Sequence, residues 1–336
     1  MTDIKFPVCV TCMTYNQSAY ICDALNGFTM QQTTFPYVCI IMDDASTDGE
    51  QEVIKQYLSV HFKSMILSHN NEQETDDFVM TFAQHKENKN CFFAVYYLKY
   101  NHYQKKRKNP YYRHFFKESK YAASCEGDDY WTNPNKLQIQ YDYLETHPKI
   151  VLSCHRWTIL DIKTNQETLA RNPFFDKKRH DSVETFEFDI NYFLHSWITK
   201  TLTCMVRTNA IKEDFYKGFR YARDVHYFYY IMTKGHGVCH AFNGGTYRKN
   251  VSTSIFGNLT KEEQTSINSR VYEELADVTK DPKVRMKANR LIVLDCMNRL
   301  KDAGGGYYVV LKLARIINKV FSCIKHGRKE IPTIEP

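Results

Sequence analysis

The sequence predicts an α/β protein with a mostly parallel central sheet flanked by helices. Three observations carry that prediction. Two apolar runs, Val8-Cys9-Val10-Thr11-Cys12-Met13 and Val38-Cys39-Ile40-Ile41-Met42, each break abruptly into a polar turn and then into a helical pattern. A third buried run, Lys120-Tyr121-Ala122-Ala123-Ser124, stops on Cys125-Glu126-Gly127-Asp128-Asp129-Tyr130-Trp131. Strand–helix alternation of this kind builds parallel sheets, whose ligands bind beyond the carboxyl ends of the strands. The polar ends Thr14-Tyr15-Asn16, Asp43-Asp44 and Glu126-Gly127-Asp128-Asp129 are therefore expected on one rim.

The elements follow in order. A helix is expected from about Ser18 to Gln31, with Ile21, Leu25 and Phe28 on one face. Thr47 and Glu50 have capping-box spacing, so a second helix should start there and run to about Val60. His69 to Lys89 is polar and reads as helix plus loop, and Phe92 to Tyr100 as a strand. Lys136 to Thr146 reads as an amphipathic helix, Ile150 to Leu160 as a strand and 163–182 as a polar excursion. Thr201 to Arg207 reads as a strand, and Val225 to Lys234 as a helix with Asp224 at its start. Val238 to Phe242 reads as a short strand, and 261–300 as helical. From Tyr308 to Ile324 an apolar stripe runs beside Lys312, Arg315 and Lys319. Such a helix either lies on anionic lipid or packs its stripe onto the domain.

With 43% hydrophobic and 25% charged residues the chain can bury a large core, which excludes global disorder. The N-terminus shows no charged-then-apolar leader pattern, and the densest apolar run, Cys91 to Leu98, is far shorter than the roughly 20 residues of a membrane span. Eleven scattered cysteines, many in strand-like runs, fit reduced thiols and a cytoplasmic location. Cys9 and Cys12 have a metal or redox spacing, but a strand separates them to opposite faces. His236 and His240 are flanked by Gly235 and Gly237, which argues against one helix presenting both to zinc. The formal charge of +7 is concentrated toward the C-terminus, between Lys283 and Lys329. A second basic run, Lys105-Lys106-Arg107-Lys108 with Tyr111-Tyr112-Arg113, reads as a solvated loop, a phosphate-facing segment or a nucleic-acid contact.

The chemistry concentrates in the acidic segment. Three carboxylates in four residues repel and raise one another's pKa unless a cation or proton sits among them. In an extended chain Glu126 and Asp128 point the same way, and Gly127 lets another group approach the backbone. Hard oxygen ligands in this pattern suit Mg²⁺ or Mn²⁺ holding a phosphate-bearing substrate. An acidic helix N-terminus is the plain alternative. There is no G-x-G-x-x-G at the first βα turn and no Walker-type loop, so a dinucleotide or P-loop site is not expected.

The segments Val8–Asn16, Ile40–Gly49 and Cys125–Trp131 resemble, in order and spacing, the successive signatures of family-2 glycosyltransferases with the GT-A fold. The resemblance covers roughly residues 5–255. It implies a GT-A (Rossmann-like) domain at 1–255, with a nucleotide-binding half to about 130 and an acceptor half after it, and a helical basic extension at 256–336. By the same resemblance Thr14, Tyr15, Asn16, Asp43, Asp44, Glu126, Gly127 and Asp128 hold a nucleotide, with Asp128 as ligand of Mn²⁺ or Mg²⁺. Glu126 stands where the family more often has aspartate. Asp224, after Arg223, matches the general base. Asp129, Trp131, Arg248 and Lys249 are implied contacts of the diphosphate or acceptor, Asn250 standing where the family has histidine. The implied activity is inverting transfer from a nucleotide-sugar, a UDP-sugar above all, to a hydroxyl of a lipid-linked or growing surface polysaccharide. The implied setting is the inner face of a bacterial plasma membrane, reached through the basic C-terminal helix, with no nucleic acid as partner. A non-catalytic nucleotide-sugar-binding or scaffold protein of the same fold is the alternative.

Overall fold

The computed structural model describes residues 5–65, 74–103, 109–180, 182–220, 222–252 and 259–302. They fall into two compact units. The first comprises residues up to Glu213 together with Tyr227–Asn258, and the second Asp214–His226 with the chain from Leu259 onward. The segment Asp214–His226 thus groups with the C-terminal helices, although the sequence places it inside the first domain.

The strands of the first unit are β1 (Val8–Thr14), β2 (Tyr37–Asp43), β3 (Phe62–Ser64), β4 (Phe78–His85), β5 (Cys91–Leu98), β6 (Tyr121–Ser124), β7 (Tyr130–Trp131), β8 (Ile150–Asp161), β9 (Gln166–Leu169), β10 (Thr185–Phe188), β11 (Met205–Arg207) and β12 (His236–Lys249). Its helices are α1 (Ile21–Thr29), α2 (Glu50–His61), α3 (Asn109–Glu118), α4 (Lys136–Thr146) and α5 (Ile190–His195), with α6 (Asp224–Met232) shared by the two units. The strands make one mixed sheet in the order β10-β12-β8-β11-β6-β1-β2-β5-β4-β3, with β7 on β12 and β9 on β8. The centre is parallel: β1 pairs with β2 and β6, and β2 with β5. Alternate residues of β1 and β2 enter opposite layers. Val8, Val10, Cys12, Cys39 and Ile41 pack with Leu25, Phe28, Ile54 and Leu58 of α1 and α2. Cys9, Val38, Ile40 and Met42 pack on the other face with Phe6, Phe92 and Phe115. Burial on both faces is why these strands read as unbroken apolar runs, and it sends Cys9 and Cys12 apart.

Several expectations are revised. The polar segment before Lys89 contains the edge-side strand β4, antiparallel to β5, where helix plus loop was expected. Its Phe78, Met80 and Phe82 alternate inward while Val79 faces out, a half-buried period that its polar neighbours hide. The excursion at 163–182 begins as a hairpin, β9 returning along β8. Only Met205–Arg207 of the expected strand at 201–207 is extended, Thr201–Thr203 forming a short 3-10 turn. The expected short strand at 238–242 is part of the long β12, which keeps pairing with β8 through two register shifts near Asn243. The Thr47–Glu50 capping box does not form: Gly49 caps α2 at φ 88°, a left-handed value suited to glycine, and Glu50 turns elsewhere. Lys105–Lys108 and the stripe 308–324 lie outside the described residues.

In the second unit α7 (Lys261–Thr279) and α8 (Pro282–Asp302) form an antiparallel pair. Here a capping box is real: Glu263 N donates to Thr260 Oγ1 at 3.2 Å and Thr260 N to Glu263 Oε2 at 2.8 Å. Among the described residues no helix is long and apolar enough to cross a membrane.

One buried cation stands out in the core. The Lys136 amine opens α4 fully buried, donating to Gln140 Oε1 at 2.8 Å and lying 4.0 Å over the Trp131 ring. Burial pulls its pKa from 10.5 down to about 7. Below about pH 7 the folded protein carries the full cost of a buried ammonium; between there and about 10.5 the unfolded chain holds more protons, so this group makes stability rise with pH. Lys136→Met should remove that rise. Urea denaturation of wild type and variant from pH 7 to 10 checks it, the expected result being a shallower stability slope in the variant.

Candidate functional site

The rim is built where β1, β2 and β6 end together. Thr14 closes β1 level with Asp43 of β2. The chain then turns through Asn16, whose φ of 54° an asparagine tolerates well. The turn after β2 passes through Ala45 at φ 59°, a left-handed conformation that costs a residue with a Cβ about 1–3 kcal/mol. The two turns are joined directly. Asn16 N donates to Ser46 Oγ at 2.9 Å, and Thr47 N to Asn16 Oδ1 at 2.8 Å. Tyr15 projects from the rim, 40% exposed.

Asp43 and Asp44 are both buried and do different things. His102 N donates to Asp44 Oδ1 at 2.7 Å and Asn101 Nδ2 to the Asp44 carbonyl at 3.2 Å, so the loop after β5 fixes Asp44. Asp43 Oδ1 accepts from Ser46 N at 3.0 Å and from Gln51 Nε2 at 2.6 Å. Asp43 Oδ2 is buried and has no hydrogen-bond partner among the described residues. An acceptor left dry and unpaired is costly, and a ligand N–H arriving there would relieve it.

The acidic segment is a turn rather than an extended run. Gly127 N donates to Met13 O at 3.2 Å, and Asp129 N closes the turn on Glu126 O at 3.1 Å. A Cβ on Gly127 would lie 2.4 Å from Thr14 Oγ1 and 2.5 Å from Gln17 Oε1, so only glycine lets this turn seat on the end of β1. The turn folds Asp129 in beside its neighbours: carboxylate oxygens of Glu126, Asp128 and Asp129 all lie within 4.8 Å of one another. Glu126 is exposed, Asp128 partly buried and Asp129 buried. Burial, and then the charges of Asp128 and Glu126, push Asp129 well above the usual carboxylate range. Burial also raises Asp128, opposed in part by Arg248 and Lys200. An all-oxygen, three-carboxylate set, made costly to ionise first by burial and at Asp129 also by its neighbours' charges, fits a hard divalent cation.

Arg248 and Lys249 end β12. Arg248 is 6% exposed and committed to the protein. Its backbone N donates to Asp129 Oδ1 at 2.8 Å, its Nη1 to the Asp128 carbonyl at 2.9 Å, and its other arm pairs with Asp23. The guanidinium lies 4.5 Å from the Tyr130 ring centre and 5.0 Å from that of Tyr20. It clamps the acidic turn. Lys249 is exposed. Asn250 donates to Asp161 Oδ1 at 2.9 Å. Trp131 is not at the rim: it is 2% exposed, packs edge-on against Phe28 and donates its Nε1–H to Leu202 O at 2.8 Å. A contact with diphosphate or acceptor is therefore replaced by a core role.

The residue that sequence reasoning missed is Lys200. Its charge lowers the pKa of both Asp128 and Asp129, and its Nζ lies 3.9 Å over the Tyr247 ring. A lone lysine ahead of an apolar run carries no signal in a single sequence. Asp224 belongs to the second unit. It is exposed at the first turn of α6, where its Oδ1 accepts from Val225 N at 2.9 Å.

Residues 9–75 match the model of glycosyl transferase family 2. The solved structure of S. aureus TarS 1–349 shares the fold with a TM-score of 0.52 at 13% identity, covering 85% of this chain and 71% of that one. The same protein in complex with UDP-GlcNAc gives a TM-score of 0.51 at 13% identity over 88% of this chain and 73% of that one. Uncharacterized proteins of Mycobacterium tuberculosis and Mycobacterium bovis are 32% identical over 149 residues, 44% of this chain. The match spans 34% of the length of those relatives. The fold is the GT-A fold. The family-2 glycosyltransferase signature matched in this chain runs from β1 past α2.

The acidic turn makes a direct prediction. Mn²⁺ titrated calorimetrically should bind wild type, and Asp128→Asn should weaken that binding by about tenfold or more, since one hard ligand of the set is lost.

Proposed function

We propose that the protein transfers a sugar from a nucleotide-sugar, a UDP-sugar in the first instance, to an acceptor hydroxyl with inversion at the anomeric carbon. The observation that supports this most is the combination, at strand ends on either side of β1, of a three-carboxylate turn with the unpartnered buried oxygen of Asp43. The first suits a cation-bound diphosphate. The second suits the imide N–H of a pyrimidine. Tyr15, Asn16 and Asp44 would complete the nucleotide's walls, and a divalent cation on Asp128 and its neighbours would offset the diphosphate charge.

The acceptor hydroxyl is a poor nucleophile until a base takes its proton. In this reading Asp224 is that base. The acceptor oxygen bonds to the anomeric carbon as the bond to the diphosphate breaks; the proton passes to the carboxylate and the electron pair leaves with the nucleotide diphosphate. Lys200 would stand against the charge of that leaving group. The acceptor we envisage is a glycan or a lipid-linked glycan at the cytoplasmic face of a membrane, with the basic C-terminal region as the anionic-surface contact. A similar proposal extends to the domain layout, with donor recognition before about residue 130 and acceptor recognition after it.

Nucleotide release across a panel of nucleotide-sugars, with Mn²⁺ and acceptor extracts, tests the reading. Release from one donor, lost in Asp128→Asn, is expected; UDP binding with no turnover under any condition would favour a non-catalytic binder. Asp224→Asn should cut kcat by about 10²–10⁴-fold while leaving UDP affinity within about twofold, as removal of a general base does. Lys200→Ala should lower kcat by about tenfold to a hundredfold, read in the same assay.

A further inference from the structure

Glu50 opens α2 and is 0% exposed. An acidic residue in a first turn ordinarily faces solvent or its own helix N-terminus. This one reaches across to the rim. Its Oε2 accepts from Gln17 N at 2.9 Å and from Ser46 Oγ at 2.8 Å. Its Oε1 is hydrogen-bonded to Thr14 Oγ1. Ser46 Oγ in turn accepts from Asn16 N, and Thr14 Oγ1 meets Gln17 Oε1 at 2.8 Å. Gly127 of the acidic turn seats on that same Thr14–Gln17 pair. One carboxyl group therefore ties the turn after β1 to the turn after β2 and underlies the third.

We infer that Glu50 is a positioning residue, a strut that holds the three turns at the spacing the nucleotide diphosphate requires. The inference rests on the nucleotide-sugar reading for what is positioned, and on the hydrogen bonds alone for the strut. No cation is among the partners named above. Burial raises the pKa of Glu50, its hydrogen bonds with Thr14, Gln17 and Ser46 offset part of the rise, and the charge of Asp43 adds to it. Its partners Thr14 Oγ1, Gln17 N and Ser46 Oγ are all neutral, so the bonds at Glu50 call for a side chain of this length with hydrogen-bonding capacity. Glutamine meets that need: its oxygen accepts from Gln17 N and Ser46 Oγ, and its amide donates to Thr14 Oγ1.

Two readouts on the full chain separate the possibilities. Hydrogen exchange of the free protein, followed in peptides covering 14–18 and 43–48, reports the strut without any ligand. Calorimetric titration with UDP and Mn²⁺ reports what the strut is for. Glu50→Ala should speed exchange in both turns and weaken UDP binding by about tenfold or more, and Glu50→Gln should restore both to within about threefold of wild type. If Glu50→Ala fails to fold, Ser46→Ala, which removes one arm of the strut, should show the same two changes at smaller size. Wild-type exchange in Glu50→Ala, or a folded Glu50→Gln as impaired as the alanine variant, would overturn the inference. Failure of wild type to bind any nucleotide would count against the nucleotide reading, and the exchange data would then decide the strut by themselves.

Discussion

Everything at the rim depends on holding three carboxylates together in a turn that their own repulsion would open. The counterforce visible in the protein is Arg248. It brings one permanent positive charge to the carbonyl of Asp128, presents its backbone N–H to Asp129 and anchors itself on Asp23 and two tyrosine rings. A guanidinium suits this task because its planar fork makes several bonds at once and stacks on aromatic faces. Asp129 nonetheless lies well above the usual carboxylate range, raised first by burial and then by the charges of Asp128 and Glu126. Held this way, the three carboxylates keep their oxygens within 4.8 Å of one another, a set of hard ligands that suits a divalent cation.

The geometry beneath the turn follows the same logic of close approach. Gly127 has no room for a Cβ, so the acidic turn presses directly on the end of β1. Glu50 then links β1 to the turn after β2 from below. The rim is therefore one hydrogen-bonded assembly drawn from three loops. Its strained member is Ala45, held at positive φ between Asp44, bonded to His102, and Ser46, bonded to Asn16, each in a neighbouring loop.

Much of this was legible in the sequence, and for identifiable reasons. β1, β2 and β6 announce themselves because strands buried on both faces are unbroken apolar runs, and each ends in a polar switch that marks the rim. Thr14, Asn16, Asp43, Asp44, Gly127, Asp128 and Asp129 lie together as that pattern suggests. What the sequence hid was long-range. β4 looks polar because only alternate residues are buried. Trp131 follows the acidic turn so closely that it reads as part of the site, yet the pairing of β7 with β12 turns it into the core. Lys200 reaches the carboxylates from a segment with no motif, and Glu50 looks like a helix cap until its partners are seen. For the last three, a partner dozens of residues away decides the role.

The two-layer burial of the sheet also shapes the chemistry of its thiols. Cys9, Cys12, Cys39, Cys91, Cys125, Cys154, Cys204 and Cys239 are all free and buried, whereas Cys296 is exposed. Burial also raises the pKa of most of these buried thiols, so little thiolate is on offer while the fold is closed. An alkylating reagent would meet Cys296 at once and the strand cysteines only as the sheet opens. The order in which the thiols react is thus a built-in record of which layer of the protein comes apart first.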